Sequence, residues 1–358
     1  MPTPARVRAD ACPGVFAPHD AADGPLARVR LPGGAISAAG LRALADAAEA
    51  CGDGDLHLTS RGNVQLRGVT RPGLAERLTD AGLLPSPSHE RVRNVLASPS
   101  SGLRGGLADV RGLAASLDRA LCAVPELAAL PGRFLFAFDD GRGDVAGEGA
   151  DVCWRATGPS EGTLLLAGGD TGRRVARADA VATAIEVARE FCRVRGAAWR
   201  VAELDDSAWR GTPVSFAEAE VVAGVFSRDD GGLAAGVVPR FGQLSAAQAR
   251  ALAEFGTAVV TPWKSVVLPD VPADVFARLG FGATALGTTA CIGRPGCAKS
   301  RADVRADAVF RPGLRAHFSG CERRCGKPSQ SHVDVVAEAD GYRVDGRWVP
   351  LDEVKGTL

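Results

Sequence analysis

An internal repeat narrows the possible fold of this chain more than any other feature. Residues 26–69 read as strand, turn, helix, strand. LARVRL leads into Pro32-Gly33-Gly34, Ser37 is a candidate N-cap, and Leu41, Leu44, Ala45 and Ala48 recur at helical spacing. Beyond Cys51-Gly52, LHLTSRGNVQLRGV alternates with period two. A second copy begins near Gly232, with a capping box at Ser245 and Gln248 and a helix carrying Ala249, Leu252 and Ala253. The strand after it, AVVTPWKSVVLPDV, matches the first copy at Thr59/Thr261, Val64/Val266, Leu66/Leu268 and Val69/Val271. Two such units about 200 residues apart are too far separated for a solenoid. They predict a pseudo-twofold core of two half-domains; chance similarity of two Ala-rich helices is the alternative.

Between the copies the pattern is α/β. A helix is expected over 109–123, with Val110, Leu113, Leu117 and Leu121 on one face, and another over 179–195. RFLFAF and TLLLAG read as strands. After the second copy come a Gly/Pro/Cys-rich stretch and a hairpin pattern, its strands separated by Asp340-Gly341 and Asp345-Gly346.

Formal net charge is +0, which argues against bulk capture of nucleic acid or an acidic membrane. No segment has the apolar length of a membrane span, and MPTPARVRADACPG lacks the apolar core of a secretory signal. A cytoplasmic protein is expected. Lys occurs only at Lys264, Lys299, Lys327 and Lys355, so nearly all positive charge is Arg. A GC-rich genome explains most of that bias, whereas clustered guanidiniums suit a polyanionic ligand.

Four of the nine cysteines share one window: Cys291 and Cys297 flank five residues, and Cys321 and Cys325 flank three. Gly293, Pro295, Gly296, Gly320, Gly326 and Pro328 surround them, forming loops whose N–H groups can point at sulfur. Four thiolates suffice for one [4Fe–4S] cluster. Zinc competes, although the five-residue gap suits a zinc knuckle poorly. Disulfides are disfavoured in a reducing compartment. Cys51, Cys122 and Cys192 lie on or beside helices as small core residues, Cys153 is isolated, and Cys12 is undecided.

Period two places Thr59, Arg61, Asn63, Gln65 and Arg67 on one face of the strand after the first helix. That face has two guanidiniums, two carboxamides and no carboxylate, so it is a donor-rich surface for acidic ligand groups. A merely exposed edge is the alternative. Arg91 and Arg93 precede an apolar VL, and Arg133 follows Pro131-Gly132 at a strand opening.

Together TSRGNVQLRG (59–68), VRNVLASP (92–99) and the C-x5-C…SGC-x3-C pattern (291–325) resemble the siroheme-type nitrite/sulfite reductase superfamily. CPGVFAPHDAADGPLARVRLPGG, PGRFLFAFDDG and AHFSGCERRCGKP are most similar to its precorrin-3B synthase branch. The resemblance implies an α+β fold of two ferredoxin-like half-domains, 1–75 and 229–280, with α/β reductase-type lobes at 76–228 and 281–358, the last binding the cluster. It implies that Cys291, Cys297, Cys321 and Cys325 hold a [4Fe–4S] cluster. It also implies that Arg61, Asn63, Gln65, Arg67, Arg93 and Arg133 line a tetrapyrrole cavity.

The reaction implied is oxygen-dependent: precorrin-3A is hydroxylated at a meso carbon and an acetate closes to a γ-lactone. The partners are then a carboxylate-rich tetrapyrrole, O2 and an external electron donor. A mononuclear non-haem iron is also implied, commonly held by two His and one carboxylate. His317 is the best single candidate for it, with a structural hydrogen-bonding role ahead of that one. The alternative readings are a siroheme-dependent sulfite or nitrite reductase and a non-catalytic iron–sulfur or zinc module. Against reduction stands Leu135, where the reductases carry a second Lys that helps deliver protons.

Overall fold

The computed structural model describes residues 10, 12–281, 287–328 and 331–358. The repeat is present, and its two copies exchange strands. One five-stranded antiparallel sheet runs His19–Ala21, Gly24–Val29, Val64–Leu66, Asp55–Leu58 and then Gln243–Ser245, which comes from the second copy. The other runs Gly224–Ser227, Leu233–Val237, Val266–Leu268, Ala258–Val260 and then Ala35–Ile36, which comes from the first.

Each swapped strand leads directly into its copy's helix. Ser37 caps Ala38–Cys51, its side chain accepting from the Gly40 N–H at 3.1 Å. Ser245 and Gln248 close a full capping box on Ala246–Ala253. The alanines expected to line these helices let them approach closely, and Leu41, Leu44, Ala45, Ala48, Ala249 and Leu252 share one core with both sheets.

The six-stranded sheet between the copies is mixed. Val95–Ala97, Phe136–Asp139 and Val152–Ala156 are parallel neighbours; Glu161–Leu166, Gly169–Ala176 and Thr212–Pro213 continue it antiparallel. Period two sorts the side chains of the central segment. Phe134, Phe136 and Phe138 pack toward the helices Arg111–Cys122 and Ala180–Val194. Leu135 and Ala137 face a second apolar cluster that includes Val145 and the ring of Trp263.

The last sheet places Thr288–Ala290, Ala316–Ser319 and Val333–Ala337 parallel, then turns into the expected hairpins through Gly341–Val344 and Arg347–Pro350. No helix among the described residues is long and apolar enough to cross a membrane.

Candidate functional site

The segment read as one continuous strand folds back on itself. Asp55–Leu58 and Val64–Leu66 pair antiparallel, with His57 opposite Gln65 and Leu58 opposite Val64. Thr59 to Asn63 make the turn. The Thr59 N–H donates to the Asn63 carbonyl at 2.9 Å, and Thr59 Oγ1 accepts from the N–H groups of Arg61 and Asn63. Gly62 supplies the left-handed residue at φ 61°. A single face carrying Thr59, Arg61, Asn63, Gln65 and Arg67 therefore does not exist, because the alternation breaks at Gly62.

Most of the six pocket residues expected from sequence have their polar ends taken up inside the protein. Asn63 is fully buried; its Oδ1 accepts from the Leu31 N–H at 2.9 Å and its Nδ2 donates to Asn94 Oδ1 at 3.3 Å. Gln65 accepts from the Arg28 guanidinium, and Arg67 is ion-paired with Asp23. Arg93 grips Asp118 with both arms, at 2.6 and 2.7 Å. Arg133 is exposed and lies over the Trp199 ring, 5.0 Å from its centroid. Arg61 is the least engaged of the half-buried donors, with one 3.5 Å contact to the Gly132 carbonyl.

Arg61 belongs to a different group of guanidiniums, one built on the strand Gly24–Val29 and its exit. Ala27, Val29 and Leu31 face the core, so Arg28 and Arg30 project to the other side. Arg30 is 1% exposed. Its Nη1 donates to the Arg28 carbonyl at 3.1 Å, while its Nε and Nη2 have no hydrogen-bond partner among the described residues. Burial, with Arg28 beside it, pushes its guanidinium down to about 9. Burial and the charge of Arg200 lower Arg61 to about 10, and burial also lowers Arg28.

Cys12 lies within electrostatic reach of Arg28, Arg30 and Arg61, and its Sγ donates to the Gly132 carbonyl at 3.2 Å. The nearby carboxylate of Glu90 is occupied, accepting from the N–H groups of Val15 and Phe16. Sequence reasoning does not single out Arg28 or Arg30, and it assigns Cys12 no role. The available signal was R-x-R between apolar residues in LARVRL, which period two puts on one face.

The four clustered cysteines leave one end of the last sheet. Thr288–Ala290 and Ala316–Ser319 are parallel neighbours, so Cys291 and the Gly320-Cys321 pair emerge side by side from their C-terminal ends. The Cys291 N–H donates to the Phe318 carbonyl at 2.9 Å, and the Gly320 N–H donates to Cys291 Sγ at 3.1 Å. A Cβ at Gly320 would fall 1.9 Å from Ser300 Oγ, so only glycine allows this approach. The Arg301 N–H donates to the Gly320 carbonyl at 2.9 Å and ties the two cysteine loops together.

The thiols of Cys325 and Cys291 are both raised, first by burial and then by the other cysteines of the set. Among the described residues, the set of three or more Cys, His, Asp or Glu ligand atoms lying within 4.8 Å of one another is Asp139, Asp140 and Asp144. The sulfurs are thus more widely spread than a single zinc ion requires, since Zn–S bonds of about 2.3 Å put sulfurs roughly 4 Å apart. The wider spread and the Gly320 amide aimed at the Cys291 sulfur are compatible with a multi-iron cluster.

A two-histidine, one-carboxylate iron site finds no ligand set of that closeness among the described residues. The aspartate cluster contains no histidine. Its Asp139 accepts from the N–H groups of Gly141, Gly143, Val145 and Ala146, so it folds its own loop. His317, fully buried, is hydrogen-bonded through Nδ1 to Thr289 Oγ1 at 2.8 Å across the parallel pair.

Arg67 is among the charges that depress Arg28, and it is also among those that depress Arg305. Arg305 in turn donates to the Cys291 carbonyl at 3.0 Å.

Residues 19–79 match the family described as the nitrite/sulfite reductase ferredoxin-like half domain. Over 385 aligned residues the chain is 25% identical to a precorrin-3B synthase from Sinorhizobium sp, covering 95% of this chain and 83% of that protein. A ferredoxin–nitrite reductase from Synechococcus elongatus is 36% identical over 127 residues, 33% of this chain and 25% of that one. In fold, the chain is similar to the solved structure of the Mycobacterium tuberculosis NirA protein. That match has a TM-score of 0.69 and 22% identity, and it covers 93% of this chain and 79% of that one. The resemblance read from the motifs holds, as does the mixed α/β architecture with a ferredoxin-like half domain.

Proposed function

We propose that this chain converts precorrin-3A to precorrin-3B with O2, as a monooxygenase of the precorrin-3B synthase type. The observation that carries this reading is Arg30: a buried guanidinium with two nitrogens unpartnered among the described residues, within electrostatic reach of Arg28 and Arg61. A buried charge without a partner is costly, and the acidic side chains of a tetrapyrrole would offset it.

In this reading Arg30, Arg28 and Arg61 bind and orient the acetate and propionate groups, and Gly132 and Asn94 fix the position of Arg61's side of the pocket. Cys291, Cys297, Cys321 and Cys325 would hold a [4Fe–4S] cluster, which when bound relays single electrons from an external donor. One oxygen atom enters the meso carbon, and the other leaves as water with two electrons and two protons.

A siroheme-dependent reductase is the second reading, supported by the local likeness to ferredoxin–nitrite reductase. The buried, apolar setting of Leu135 beside Ala137, Val145 and Trp263 speaks against it, since no proton donor stands at that position. Incubation with precorrin-3A under 18O2 tests the proposal. One labelled atom in the product is expected. Anaerobic conversion, or sulfite-dependent turnover by protein purified with a tightly bound tetrapyrrole, overturns it. An Arg61→Ala variant should bind the substrate about 1.5–3 kcal/mol more weakly.

A further inference from the structure

The turn Thr59–Asn63 has a counterpart in the second copy, built by the same bonds. The Thr261 N–H donates to the Ser265 carbonyl at 2.8 Å, and Thr261 Oγ1 accepts from the N–H groups of Trp263 and Ser265. Where the first turn has Gly62 at φ 61°, the second has Lys264 at φ 57°. A lysine in the left-handed region is strained, and the first copy shows that the turn itself accepts glycine.

The lysine's stem runs along Gly242, where a Cβ would come within 2.7 Å of Lys264 Cβ. Its ammonium reaches the cysteine loop: Lys264 Nζ lies 3.8 Å from the position a Cβ would take on Gly326, the residue after Cys325. His317, on the strand leading to Cys321, feels its charge. Arg305 and Arg67 are its charged neighbours, and burial pushes its ammonium down. Among the described residues no carboxylate is paired with it. A strained, partly buried cation whose charged neighbours are cations is stabilised by an anion, and the loop that carries Cys325 is what it faces.

We infer that Lys264 is an electrostatic positioning residue that sets the reduction potential of the group held by Cys291, Cys297, Cys321 and Cys325. Its positive charge favours the reduced, more negative state, which differs by one electron with no bond made or broken. This rests on the cluster reading proposed above. It also gives the second half-domain a role of its own, since its hairpin delivers to the thiol loop a charge that the equivalent Gly62 cannot.

The test is a redox titration of the anaerobically purified holoprotein with dithionite, followed by electron paramagnetic resonance. Lys264→Met keeps the stem and the strain. Lys264→Gly adopts the conformation seen at Gly62 without strain, and it decides the matter if the Met variant fails to fold. Both should keep wild-type iron and sulfide while the reduction equilibrium shifts about tenfold toward the oxidised form, about 59 mV for a one-electron couple. Lys264→Arg should titrate close to wild type. A wild-type potential in the charge-free variants with iron and sulfide intact overturns the role of Lys264. Wild-type protein without iron and sulfide instead overturns the cluster reading beneath it.

Discussion

Arg30 donates through Nη1 to the carbonyl of Arg28 at 3.1 Å, while its Nε and Nη2 are buried with no hydrogen-bond partner among the described residues. Two guanidiniums two residues apart on one strand face are thereby held together despite their repulsion. The ligand-free protein should bear the consequence. Arg30→Met is expected to raise its stability by about 1–3 kcal/mol in a urea titration, because an unsatisfied buried donor is removed. The same variant should lose affinity for a polycarboxylate tetrapyrrole. Destabilisation with unchanged affinity would show that Arg30 serves packing alone.

Arg93 behaves in the opposite way. Its fork is closed on Asp118, with side-chain exposures of 5% and 17%. Arg93→Ala leaves that carboxylate with no counter-ion and should destabilise the chain by about 3 kcal/mol. Arg93→Ala combined with Asp118→Ala should recover part of the loss in a double-mutant cycle. Additive losses would remove the ion pair from the account.

Asp144 gives a pH signature. Burial, reinforced by Asp139 and Asp140, raises its carboxyl to about 7 from an ordinary value near 3.8. The folded state therefore holds a proton that the unfolded chain releases between those values. The stability from this group is fully present below about pH 3.8 and is lost as pH rises toward 7, with a limiting slope of about 1.4 kcal/mol per pH unit. Asp144→Asn should flatten that part of the stability–pH profile measured by denaturant unfolding. An identical slope in the variant would contradict the assignment.

The repeat was legible because Thr59 and Thr261 make the same hydrogen-bonded turn, and the apolar positions around them follow the same pattern. Ser37, Ser245 and Gln248 were legible as caps because capping depends on local chemistry alone. The turn itself was not: the letters T-S-R-G-N continue a period-two pattern, although the left-handed Gly62 reverses the chain there and breaks the alternation of the side chains. The exchange of Ala35–Ile36 and Gln243–Ser245 was hidden too, since strand partners far apart in sequence leave no local trace. For the same reason Arg61 was found while Arg28 and Arg30 were missed. Polar residues in an obviously polar segment stand out, whereas two arginines alternating with Ala27, Val29 and Leu31 read as an ordinary half-exposed strand.

The central proposal is that the four-cysteine loop holds an iron–sulfur cluster and that Arg28, Arg30 and Arg61 receive an acidic ligand. Iron, zinc and acid-labile sulfide should be quantified in anaerobically purified wild type and in Cys321→Ser. The account predicts about four irons and four sulfides per wild-type chain, with the visible absorbance lost in the variant. One zinc per chain without sulfide, or an unchanged spectrum in Cys321→Ser, would contradict it.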